Sequence, residues 1–168
     1  MHRLTPLTRI LTSRFAISSF NVIITMITLC SLFHAYRLFH APGNDFNEIE
    51  ELLDGISVIF VAYGVALEER DSLMSFLGLY PRYLSDIEEA TDHLSHFYGL
   101  CILLLGLFTE VVVEVVKIPN TFFNTEGAEG LLFIIGFVFL CLGSILLLRL
   151  SYLLIAIKKP ALREAAKA

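Results

Sequence analysis

Four membrane-crossing helices, with a short cytoplasmic interfacial helix between the second and third, form the all-α architecture expected of this 168-residue chain. Three observations lead to it. Hydrophobic residues make up 56% of the chain and the mean hydropathy is +0.73, above the roughly 45–50% apolar content of soluble domains. The excess is gathered into four blocks, several with about 15 residues almost free of charge, as transmembrane helices require. The blocks are also apolar all round, without the polar stripe of a soluble bundle helix.

The first 14 residues are polar and carry Arg3, Arg9 and Arg14. The apolar run after them is too long for a signal-peptide core, and no small-residue cleavage site follows, so it is expected to be retained as a span. Phe15 to Tyr36 covers about 33 Å at 1.5 Å per residue, enough for hydrocarbon about 30 Å thick. Asn21, Thr25 and Thr28 share one face of it, which suits helix–helix hydrogen bonding.

Pro42, Gly43, Asn44 and Asp45 supply a turn. The second block, Glu48 to Arg70, is apolar between acidic ends. Its uncharged part, Gly55 to Leu67, reaches only about 20 Å. Asp54 and Glu51 are therefore expected at the membrane surface or against protein, while Gly55, Ala62, Gly64 and Ala66 allow close helix approach. Asp71 to Tyr80 mixes Leu73, Met74, Phe76, Leu77 and Leu79 with polar residues before Pro81, predicting a short helix in the interface plane.

Ser85 and Glu88 match the capping-box pattern. A helix from there would run into the third span, Phe97 to Lys117, with its first turns clear of the membrane, and stop before Pro119. Glu129 to Ile157 is the fourth span, with Gly136 and Gly143 seven residues apart. The expectation is thus a single domain over residues 1–168, with spans at about 15–36, 49–67, 97–117 and 129–157. Residues 71–96 form the cytoplasmic interfacial segment and helix extension.

Arg3, Arg9, Arg14, Arg70, Arg82, Lys158, Lys159, Arg163 and Lys167 fall on one side of these spans, and Arg37 and Lys117 on the other. The positive-inside rule then puts both termini in the cytoplasm, as expected of a multi-pass protein of the bacterial inner membrane. A net charge of −5 without a basic stripe argues against nucleic-acid binding. Cys30, Cys101 and Cys141 lie inside apolar blocks without CxxC spacing and read as buried small hydrophobes. There is no Ser-His-Asp arrangement and no phosphate-cradling glycine loop, so no enzyme activity and no cofactor are expected.

Glu110 and Glu114 lie one turn apart on one helix face. Carboxylates at that depth read either as a proton or cation relay or as partners of Arg37 or Lys117 at the outer interface. Glu89, Asp92, His93 and His96 lie within about 100° of one face. They would bind a transition metal only with ligands from another helix, for which Glu68, Glu69 and Asp71 are on the right side; a solvated acidic helix explains the same spacing. Arg149, inside the fourth block, reads as a snorkelling or ion-paired residue.

Arg37, Phe39 and Pro42, followed by Glu50, Glu51 and Leu52 and then by Gly64, Val65, Ala66, Leu67 and Arg70, resemble the small membrane subunit of TRAP transporters, the DctQ-like family. The resemblance implies a non-catalytic subunit that anchors a large integral-membrane subunit. That larger chain would import organic acids by an ion-coupled elevator motion, fed by a periplasmic binding protein. In that setting Glu50, Glu51, Asp54, Gly55, Ala62, Gly64 and Arg70 become partner-packing residues of a helix in the lipid bilayer, with Glu50, Glu51 and Asp54 at its outer surface and Arg70 at its cytoplasmic boundary. Two other classes stay open: an accessory subunit of another, metal-containing membrane complex, and a homo-oligomeric proton or cation channel using Glu110 and Glu114.

Overall fold

The computed structural model describes residues 13–40, 46–76, 86–117 and 127–156. They form five helices: α1 (Arg14–Phe39), α2 (Phe46–Glu68), α3 (Arg70–Phe76), α4 (Asp86–Lys117) and α5 (Glu129–Ala156). Local chemistry explains several boundaries. Ser13 caps α1, its hydroxyl accepting from the Ala16 amide at 3.3 Å. Gly127, at φ 85°, makes the turn into α5 in a conformation other residues rarely adopt. Only Glu69 separates α2 from α3, and its amide still donates to the Val65 carbonyl. The α2–α3 junction is therefore a bend in a nearly continuous helix.

The four long helices pack as an up-and-down bundle, each against the next in the order α1, α2, α4, α5 and back to α1. Asn21 meets Leu147 and Phe39 meets Gly130, so α1 and α5 are antiparallel, and Arg14 and Ala156 lie at the same end. The tightest seam joins α2 and α4. A Cβ added at Gly64 would lie 2.6 Å from the Leu103 amide nitrogen, and one at Gly99 2.5 Å from that of Glu68. One at Gly106 would lie 2.9 Å from the Val61 amide. These are backbone-to-backbone approaches that no side chain permits. Across the bundle, Phe60, with no exposed surface, presses its ring onto Gly143. Gly136 takes Leu53 one heptad earlier, at 3.7 Å.

Polarity is distributed inside out. Asn21, Ser57, Ser95 and Thr109 have no exposed surface, whereas Phe33, Leu131, Ile145 and Tyr152 are each at least 60% exposed. Among the described residues, α1, Glu88–Lys117 of α4 and Glu129–Ile155 of α5 are long and apolar enough to cross a membrane. The chain is a membrane protein on that ground. The second block does not join them, because Glu50, Glu51 and Asp54 fall within every stretch of α2 about 20 residues long. It is nonetheless a full member of the bundle.

Other expectations are met differently. α1 runs on past Tyr36 to Phe39. α3 turns Arg70 and Met74 inward and leaves Phe76 88% exposed; the rest of the expected interfacial segment, Leu77 to Tyr80, lies outside the described residues, as does Ser85. Cys30 and Cys141 are exposed rather than buried, because an apolar block in this fold supplies the outer surface as well as the core.

The glycine seam has a measurable consequence. Gly64→Ala or Gly106→Ala must push α2 from α4 and should cost about 1–3 kcal/mol, read as a lower melting temperature in detergent. Gly55 has nothing within 4 Å of its added Cβ, so Gly55→Ala should leave the melting temperature unchanged or slightly higher.

Candidate functional site

The carboxylates of the second and third blocks meet at one end of the α2–α4 seam. Asp54 and Ser57 lie on one face of α2, three residues apart. Glu110, Glu114 and Lys117 follow one another at i, i+4 and i+7 along the facing side of α4. Antiparallel packing then sets the two rows against each other. Lys117 Nζ donates to Asp54 Oδ2 at 2.9 Å and to Glu114 Oε1 at 3.0 Å. The Ser57 hydroxyl lies between the Asp54 backbone carbonyl, at 2.7 Å, and Glu110 Oε2. Ligand atoms of Asp54, Glu110 and Glu114 fall within 4.8 Å of one another.

Depth distinguishes the members. Lys117 and Glu114 lie in the last turn of α4, whereas Glu110 is about 6 Å further in than Glu114 and half-buried. Three carboxylates against one ammonium leave two formal negative charges when all are ionised. Such a set can hold a cation or pass a proton, and Lys117 already supplies one cation to it. Of the two partners expected for the glutamates at this interface, Lys117 is found on Glu114; Arg37 is exposed. Beside the cluster, His34 Nε2 and Glu48 Oε1 join α1 to α2 at 3.0 Å.

The opposite end of the seam is held by a second charged group. The guanidinium of Arg70 is buried and donates to Asp92 Oδ1, tying the α2–α3 bend to α4. His96 Nδ1 lies 3.3 Å from the Glu68 carbonyl and 3.5 Å from its carboxylate. Glu89 and His93 face outward. The residues expected as metal ligands are thus divided between neighbours and solvent. Among the described residues, Asp54, Glu110 and Glu114 form the group close enough to share an ion.

The partner-packing residues also divide. Gly64 is spent on α4 and Arg70 on Asp92. Asp54 belongs to the lysine cluster and Glu50 is half-buried. Glu51, Gly55 and Ala62 face out, and Arg149 is exposed on α5. The helix–helix hydrogen bonding expected of Asn21 is present, with a partner, Tyr63, that the sequence did not single out. The Tyr63 hydroxyl donates to Asn21 Oδ1 at 2.6 Å, and Asn21 Nδ2 donates to the Leu147 carbonyl at 3.3 Å. This joins α1, α2 and α5 through one buried amide. The signal available was Asn21 itself, an amide in an apolar helix that needs partners.

Charge removal tests both ends. Lys117→Met should destabilise the detergent-solubilised protein by leaving Asp54 and Glu114 without their shared counter-ion, read as a lower melting temperature. Arg70→Ala should cost about 3–5 kcal/mol by breaking the buried pair with Asp92, and the double change Arg70→Met with Asp92→Leu should recover most of it.

No protein-family model, curated protein or solved structure matches the chain.

Proposed function

We propose that the chain is the non-catalytic small membrane subunit of a multi-subunit transporter of TRAP type, scaffolding a large permease subunit for ion-coupled uptake of organic acids. In this reading α2 is a fourth span, both termini are cytoplasmic, α3 lies at the inner face of a bacterial inner membrane, and a periplasmic binding protein delivers substrate. The observation that carries it is the outer face of α2. Glu51, Gly55, Ile59, Ala62, Ala66 and Glu69 are all exposed and follow one another at three- and four-residue steps. The glutamates close the stripe about 27 Å apart, at the two ends of the span, and Gly55, Ala62 and Ala66 between them carry the case for a protein neighbour. These small residues let a partner helix approach closely. The resemblance of the stretch from Arg37 to Arg70 to the small TRAP subunit supplies the class of partner. The packed bundle interior, filled by Phe60, Phe133 and Leu140, suits a scaffold rather than a substrate path.

Purification from the native membrane should bring along a much larger hydrophobic chain. Ala62→Trp should abolish that association while leaving the melting temperature of the isolated subunit within a few degrees of wild type. A stable homo-oligomer with no partner would sink the proposal.

A self-associating proton or cation channel is the second reading, favoured by the convergence of Asp54, Glu110 and Glu114 around Ser57. It requires ion flux in proteoliposomes that Glu110→Gln abolishes. Absence of flux in the wild type, or flux untouched by the substitution, removes it.

A further inference from the structure

At the Lys117 end of the bundle, an open cavity of about 510 Å³ lies against α1 and α5. Tyr36, Phe39 and His40 line it from α1, and Phe137, Val138 and Cys141 from α5. The size and apolar lining fall within the range of ligand pockets. Its position is informative. Along α5 the cavity runs from Phe133 to Leu142, about 14 Å. It therefore starts near the helix end and stops at the midpoint of α5. Half of a hydrocarbon core about 30 Å thick is nearly the same depth. One acyl chain reaching the bilayer midplane would cover the same length.

The polarity also runs in the order of a lipid. The deep part presents Val138, Cys141 and Leu142, and the polar groups collect at the rim. There the Tyr36 and His40 ring centroids lie 4.3 Å apart, tilted by 41°, the residue types that favour the level where head groups meet chains. His40 Nδ1 is 3.0 Å from the Tyr36 carbonyl. A carbonyl only accepts, so neutral His40 keeps its proton on Nδ1 and offers Nε2 as an acceptor. We infer that this cavity is a site for one phospholipid, its acyl chain lying along α5 as far as Leu142 and its hydrogen-bond-donating head group at His40. The inference is independent of the transporter reading, since it concerns a different face of the bundle from the α2 stripe.

Native mass spectrometry of the full chain, purified in mild detergent, tests it. One phospholipid per chain should stay bound. Val138→Trp, which fills the cavity from an exposed position, should reduce retention at least about tenfold. Val111→Trp, equally exposed but on α4, should leave retention unchanged. After delipidation and add-back with matched acyl chains, phosphatidylethanolamine should be preferred over phosphatidylcholine by about fivefold, one hydrogen bond's worth. His40→Ala should erase the preference while keeping binding. Phosphatidylglycerol binding as well as phosphatidylethanolamine marks a hydroxyl donor as sufficient, and either head supports the site. A readout that does not need the Trp variant is Cys141 in protein carrying Cys30→Ala and Cys101→Ala. Its reaction with a membrane-permeant maleimide should slow several-fold when phosphatidylethanolamine is restored. Equal retention by Val138→Trp, occupation by detergent alone, protection of Cys141 by a copurifying protein instead of lipid, or indifference to the head group each overturns the inference.

Discussion

The backbone contact between α2 and α4 is the constraint from which the remaining packing follows. Gly64, Gly99 and Gly106 remove the side chains that would hold two helices at ordinary separation. In an apolar solvent, where burying more apolar surface gains little, close approach and dispersion supply the association energy. Once α2 and α4 are set so closely, Phe60 projects across the bundle, and only a residue without a side chain, Gly143, can receive it. The same contact sets the register that places Ser57 beside Glu110 and Asp54 beside Lys117. The charged cluster is thus a consequence of the glycine seam.

Charge occupies the two ends of that seam and hydrogen-bonding side chains the middle of the bundle. Arg70 and Asp92 close one end, and Lys117 with Asp54 and Glu114 the other. Between them, Asn21, Tyr63, Thr109 and Ser144 satisfy one another or nearby carbonyls. Small hydroxyls bonded back to their own helix add little bulk and leave no donor facing lipid. α2 is the exception to this economy: its inner face is fully used, while its outer face keeps both small residues and glutamates. That asymmetry ties it to the proposed scaffolding role, and the wedge between α1 and α5 is a separate feature on another side.

Much of this was legible in the residues. The all-helical class, the membrane setting and the ends of α4 at Lys117 and of α5 near Ile157 followed from apolar blocks and from Pro119, because the physics of those features is local. The small residues of α2 were recognisable as packing positions, but which way each faced was not. Gly64 turned inward and Gly55 and Ala62 outward, because direction depends on the rotation of α2 against α4 and no periodicity within α2 reports it. Asp92 and His96 looked like half of a metal site for the same reason: their spacing on α4 was clear, while Arg70 and Glu68 claim them from another element.

By itself, then, the sequence determined which segments are helical, how long they are and which residue types each can offer. Those properties depend on backbone hydrogen bonds and on side chains within a few turns of each other. Only the tertiary structure decided the pairing of Asp54 with Lys117, 63 positions apart, the meeting of Tyr63 with Asn21, and the cavity between α1 and α5. Each requires helices distant in the chain to adopt one rotation and one register, and backbone contact at three glycines selects them.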